Sequence, residues 1–205
     1  MDDARPALDV SRGTLERLEV LVDELLRWNT RINLIGRDTA GLVWSRHVED
    51  SIQTFRCWSG QGSRWVDLGS GGGFPGLVVA ALAAEEAPGL SVTLIEADAR
   101  KAAFLAQAGR AMGVPVEVRA ARVEAAAGAV GEVVSARALA PLPKLLALAF
   151  PHLTAGAQAI FPKGRTFRSE IEEARRTWAF ACEAVPSRTD PEAAILSITA
   201  LEPRA

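Results

Sequence analysis

Between a short β-type run, Arg64–Leu68, and an apolar helical run over residues 76–84, the chain reads Asp67-Leu-Gly-Ser-Gly-Gly-Gly-Phe-Pro-Gly76. Five glycines fall within the eight positions from Gly69 to Gly76. A turn this rich in glycine lets the backbone come close to a ligand where a side chain would block it. The helix that follows offers unpaired amides and the positive end of its dipole. A strand, a glycine loop and a helix in that order begin an α/β domain built around a nucleotide-like ligand.

The rest of the sequence agrees with that beginning. Before residue 60 the pattern is helical: Leu15, Leu18, Val22, Leu25 and Leu26 recur at three and four, and Asn29 interrupts them. A second helix is expected over residues 41–55, and Ser59-Gly-Gln-Gly-Ser63 reads as a joint. Beyond it, strands are expected at 64–68, 91–95, 116–118, 133–135 and 158–161, with a closing pair at 179–185 and 193–200. Helices are expected at 76–84, from an Asp98 N-cap to Met112, at 142–150 and at 169–177. Alternation at this spacing predicts a mostly parallel, seven-stranded sheet with helices on both faces. Residues 1–60 then form a small helical extension or lid, and residues 61–205 form the ligand-binding domain.

Composition narrows the class. The chain has 205 residues, 49% of them hydrophobic and 23% charged, which are globular values. No apolar run approaches the roughly 20 residues needed to span a bilayer, and the acidic N-terminal stretch is no signal peptide. Cys57 and Cys182 read as buried thiols in a reducing cytoplasm, and His47 and His152 lack metal-ligand spacing, so no metal is expected. A monomer is expected. The net charge of −2 makes no electrostatic magnet for nucleic acid, so any polyanion contact must come from a local cluster.

The loop admits two cofactor registers. Gly71-x-Gly73-x-x-Gly76 matches a dinucleotide fingerprint, with Glu96 where a ribose-binding acid is expected. The earlier register, Asp67-x-Gly69-x-Gly71-x-Gly73, sits better on the strand end and resembles the S-adenosylmethionine loop of Rossmann-like methyltransferases. Asp67 would repel a dinucleotide phosphate but welcome the ammonium of a methionine moiety. Glu96, at the tip of the second strand, can hold two ribose hydroxyls in either class.

Further pieces occur in order: Leu26-Arg-Trp-Asn29 with Ile32-Asn-Leu34, Arg46-His47 with Asp50-Ser51, the glycine loop, Ser135-Ala-Arg-Ala-Leu139 and Pro162-Lys-Gly164. With these residues the chain resembles the ribosomal RNA small-subunit methyltransferase G family, also called glucose-inhibited division protein B. The resemblance implies a Rossmann-like class I fold. It also implies methyl transfer from S-adenosylmethionine to N7 of a guanine in the decoding region of 16S rRNA. It places cofactor contacts at Gly69, Phe74, Val123, Glu124 and Arg137, beside Asp67, Gly71 and Glu96. Two segments depart from the family pattern, the Ala-rich 125–129 and Ala-Leu-Ala-Pro-Leu-Pro after Arg137, and neither removes a matched contact.

Residue chemistry points the same way. The fourth strand lacks the Asn/Asp-Pro-Pro-aromatic turn common among enzymes acting on exocyclic amines, and neither cysteine is placed to serve as a cytosine-C5 nucleophile. An endocyclic N7 lone pair needs no deprotonation, so alignment, desolvation and electrostatics suffice and no general base is required. Arg137, at the end of the fourth strand, is the expected orienting and electrostatic residue, with the methionine carboxylate, an RNA phosphate or the guanine as partner. Arg46, His47, Lys163 and Arg165 are the expected RNA contacts, within the small subunit or an assembly intermediate. Two alternatives remain on sequence grounds: a nicotinamide-dinucleotide oxidoreductase and a non-catalytic RNA-binding module.

Overall fold

The computed structural model describes residues 7–36, 41–126 and 128–204. Seven strands make one sheet in the order β3-β2-β1-β4-β5-β7-β6. They are β1 (Arg64–Leu68), β2 (Ser91–Glu96), β3 (Glu117–Ala120), β4 (Gly131–Ala136), β5 (Leu153–Lys163), β6 (Trp178–Pro186) and β7 (Ala194–Pro203). β1 to β5 run parallel, and β7 enters antiparallel between β5 and β6. The reversal of order between β1 and β4 puts the crevice outside the carboxyl ends of these strands, where open α/β sheets bind ligands.

Alternation along the strands divides the apolar side chains between two faces. Trp65, Leu94, Val133, Ile160 and Ile195 enter one core, which α3 (Gly76–Glu86) and α4 (Ala99–Ala111) cover. Val66, Leu68, Val134, Ala136, Phe161 and Leu196 enter the other, under α5 (Leu142–Ala149) and α6 (Phe167–Ala174). Helix α3 is apolar on every side, because the sheet lies beneath it and the N-terminal helices lie over it.

Those N-terminal helices are α1 (Arg12–Asn29) and α2 (Glu49–Arg56). Leu18, Leu21, Leu25, Val48, Ile52 and Phe55 share a core with Leu77, Val78 and Trp65. The extension is thus a packed outer layer on α3 and α4, held by apolar burial, and Ser59–Ser63 is a connection between packed parts. The expected helix over 41–55 is broken in two. Val43–Val48 winds as a wide π-turn before the α-helical Glu49–Arg56, and it carries Arg46 and His47. Such turns recur at functional sites. Asn29 ends α1 and accepts from the amides of Leu34 (2.9 Å) and Ile35 (3.2 Å), closing the turn behind it. Asp98 caps α4 as expected, accepting from the Arg100 amide at 2.8 Å. Cys57 and Cys182 are free and only partly buried, not core thiols.

Candidate active site

The glycine loop is built from beneath. Asp67 is fully buried at the end of β1, and its Oδ1 accepts from Ser135 Oγ at 2.6 Å. Ser135 Oγ in turn accepts from Trp65 Nε1 at 2.8 Å. Asp67 Oδ2 has no hydrogen-bond partner among the described residues and lies against Gly76, where an added Cβ would come within 2.8 Å. Burial lifts this carboxyl to about 6, against the opposing pull of Ser135, Ser70 and the Gly76 amide. Asp67 therefore organises the loop from below and does not reach the crevice surface, contrary to the expectation of direct contact with a methionine ammonium.

Gly69, Gly71 and Gly73 all have positive φ, the region that favours glycine. A Cβ at Gly69 would sit 2.8 Å from Leu139 Cδ1, so Leu139 enforces that glycine. A Cβ at Gly71 meets only the Gly69 carbonyl, at 3.7 Å, and this position lines the crevice. The Gly71 amide donates to Glu96 Oε2 at 2.8 Å, and Glu96 Oε1 accepts from the Asp98 amide at 2.8 Å. Glu96 is fixed by two backbone donors while each oxygen keeps a further acceptor site. Gly76 has a packing role: a Cβ there would overlap Leu94 and Asp67.

The crevice is a cavity of about 390 Å³ whose walls include Gly69, Gly71, Glu96, Val123, Glu124 and Arg137. That volume lies in the range of small-molecule sites, about 300–1,000 Å³. Phe74, expected as a cofactor contact, is buried beside it and stacks on His47 with ring centroids 5.2 Å apart. The Arg137 guanidinium carbon lies 5.3 Å from the same ring.

A second cavity, about 320 Å³, opens beside the first, and its walls include Arg46, His47, Asp50, Lys163, Glu170 and Asp190. Arg137 and Ala138 line both cavities. Ala138 has φ +54°, a strained conformation for a residue with a Cβ, at the point where they meet. Arg137 donates to the Arg46 carbonyl at 3.2 Å and, through Nη2, to His47 Nδ1. An arginine only donates, so Nδ1 accepts and the proton of His47 sits on Nε2, which is buried without a partner among the described residues. Burial, then the charges of Arg137 and Arg46, push His47 down to about 3. Burial also lowers Arg137, while Asp50 and Asp67 pull it back.

The other expected RNA contacts separate. Arg46 is half exposed and pairs loosely with Asp190 at 3.5 Å. Lys163 is largely buried, 2.6 Å from Glu170 and donating to the Ala140 carbonyl at 3.0 Å. It ties β5 to α6 and is not the free phosphate ligand expected of it. Arg165 is exposed and lines neither cavity. The acids Asp50, Glu170 and Asp190 were not read from sequence as site residues. They come from three separate elements, and no local spacing joins them.

Residues 14–193 match the family described as rRNA small subunit methyltransferase G. The chain belongs to that family. Ribosomal RNA small subunit methyltransferase G of Ruegeria sp. (strain TM1040) is 48% identical over 195 residues, covering 95% of each chain. That of Cereibacter sphaeroides (strain ATCC 17025) is 49% identical over 195 residues, covering 95% of this chain and 94% of the relative. Among solved structures, a methyltransferase from Pyrococcus furiosus superposes with TM-score 0.56 at 14% identity, over 90% of this chain and 97% of that one. A T. thermophilus 16S rRNA N2 G1207 methyltransferase in complex with AdoMet and guanosine gives TM-score 0.54 at 18% identity, over 73% and 38%. These distant likenesses show the class I methyltransferase fold. Family membership makes the chain an S-adenosylmethionine-dependent methyltransferase and removes the ground for the nicotinamide register. The residues present fit that cofactor: a fixed carboxylate with open acceptor sites, a glycine whose missing Cβ opens the wall, and an adjoining backbone segment at Val123.

Proposed function

We propose that the protein methylates N7 of a guanine in the decoding region of 16S rRNA, within the small subunit or an assembly intermediate. The observation that carries this reading is the junction of two cavities at Arg137 and Ala138, one for a nucleoside cofactor and one for a base. S-adenosylmethionine, when bound, supplies an electrophilic methyl group. Glu96 would hold the ribose hydroxyls, Val123 and Glu124 would edge the adenine, and Gly71 would leave room for the chain between them. Arg137, held on His47 and the Arg46 carbonyl, would orient whatever enters from the second cavity.

The state of His47 removes that ring as a base for an exocyclic amine. A ring with Nδ1 occupied by Arg137, Nε2 buried and a pKa near 3 takes no proton from a substrate. An exocyclic amine loses a proton on methylation, whereas N7 attacks through a lone pair already free. Arg46 and Arg165 would face phosphates near the second cavity. The enzyme would act as a cytoplasmic monomer, and among the described residues no helix is long and apolar enough to cross a membrane.

The test is methyl transfer to small subunits, naked 16S rRNA and a short hairpin, each at two salt concentrations, with mass-spectrometric mapping. A near-neutral chain neutralises few phosphates, so structured rRNA should be the productive substrate. Efficient, salt-insensitive methylation of the hairpin would refute that substrate form. Methyl on an exocyclic amine or only on protein would overturn the N7 reading.

A further inference from the structure

The wall of the cofactor crevice at Val123 and Glu124 is thin. In front of it lies the crevice of about 390 Å³, and behind it lies a separate hollow of about 410 Å³ whose lining includes Ala126, Gly128, Leu148 and His152. Val123 and Glu124 face both spaces. The wall belongs to the connection from β3 to β4, which holds one turn of 3-10 helix, Val123–Ala125. Val123, Ala126 and Ala129 plant their small side chains in the core under α5. The local backbone bonds are few: the Ala125 amide to the Arg122 carbonyl at 3.0 Å, Ala126 to Val123 at 3.2 Å and Ala129 to Ala126 at 3.3 Å.

His152, the last residue of the 3-10 turn Phe150–His152 that leads into β5, is 5% exposed and spans this connection. Its Nδ1 is 2.6 Å from the Ala129 carbonyl oxygen and its Nε2 is 3.1 Å from the Val123 carbonyl oxygen. The two acceptors lie toward the two ends of the β3–β4 connection. A carbonyl only accepts, so a neutral ring donates to one of the two and sets its other nitrogen against the second, and only a ring carrying protons on both nitrogens donates to both. No other residue type places nitrogens on two edges of one rigid ring.

We propose that His152 is a positioning residue for the cofactor: it braces the Val123–Glu124 wall across the hollow behind it and so sets the edge against which the adenine rests. The role is exerted through the backbone, and the imidazole itself touches neither the cofactor nor the substrate. The inference rests on the reading of this crevice as the S-adenosylmethionine site. It assigns to a histidine that does not line the crevice an indirect effect on cofactor affinity.

Calorimetry with S-adenosylmethionine and S-adenosylhomocysteine tests it, on wild type, His152→Phe and His152→Gln, alongside KM and kcat with small subunits. Phe fills the site without a donor, whereas Gln keeps one amide group to hold one end. Removing a buried hydrogen bond from a ligand-binding segment should weaken both nucleosides about tenfold in His152→Phe. His152→Gln should recover part of that affinity. KM for S-adenosylmethionine should rise in parallel while kcat and the affinity for subunits stay near wild type. Wild-type affinity in His152→Phe would overturn the brace, and so would an equal fall of kcat without a change in KM. Should His152→Phe fail to fold, His152→Gln decides: a raised KM at constant kcat supports the brace and an unchanged KM overturns it. A wild-type protein that binds neither nucleoside refutes the crevice assignment itself, an outcome distinct from failure of the brace.

Discussion

His47 and Asp67 sit on two sides of Arg137 and carry opposite linkage to pH. His47 has its pKa lowered from 6.5 to about 3, so below pH 6.5 the unfolded chain binds a proton that the folded chain refuses. Stability falls on acidification from that group. Asp67 has its pKa raised from 3.8 to about 6, so between those values the folded chain holds a proton that the unfolded chain releases. Stability rises on acidification from that group, is fully present below 3.8 and is lost as pH rises through 6. From pH 6 to pH 5 the two contributions are about 1 kcal/mol each, of opposite sign, and nearly cancel. The net contribution of this pair to unfolding free energy should therefore change little over that interval, and denaturant titration of wild type and two variants at both pH values isolates it. Relative to wild type, His47→Gln should gain about 1 kcal/mol on going from pH 6 to 5, and Asp67→Asn should lose about 1 kcal/mol. Groups common to all three proteins cancel in the difference. A His47→Gln slope equal to that of wild type would refute the claim that burial holds this imidazole neutral.

Gly71→Val puts a β-branched side chain at φ +50° into the crevice, and should abolish S-adenosylmethionine binding while circular dichroism shows the fold retained. Glu96→Ala removes the proposed ribose contact and also frees the Gly71 and Asp98 amides, so calorimetry should show affinity lower by about ten- to a hundredfold. Replacing Arg46 and Arg165 together with Ala should reduce methylation of small subunits and leave cofactor affinity near wild type, because neither lines the crevice. Loss of cofactor binding in that double variant would place one of them elsewhere.

Periodicity and glycine placement carried most of the architecture. The strands fell where short β-branched and apolar runs meet turn residues, and Asp98 announced α4. What escaped has physical reasons. The first half of β5, with Thr154, Ala155 and Gly156, is exposed and lacks an alternating pattern, so only its buried second half was legible. The π-turn at Val43–Val48 keeps an apolar spacing close enough to 3.6 to read as an ordinary helix. At the site, Gly71 and Glu96 were visible because a strand tip has a fixed geometry. The burial of Asp67 depends on Ser135 and Trp65, 68 residues away and two residues away, and only the folded sheet brings the three together. Lys163 looked free because its partner Glu170 lies on the next helix, at a distance that no sequence pattern encodes.

One residue pair, Arg137 and Ala138, borders both cavities. Occupancy of one side acts on the same guanidinium that faces the other. Free-energy linkage then makes the influence mutual: any factor by which the nucleoside cofactor changes affinity for RNA is the factor by which RNA changes affinity for the cofactor. A spent cofactor that contacts Arg137 differently from the fresh one would alter the hold on RNA by that difference alone. With cofactor in one cavity and RNA in the other, as proposed, the shared wall would join release of the methylated product to exchange of the cofactor.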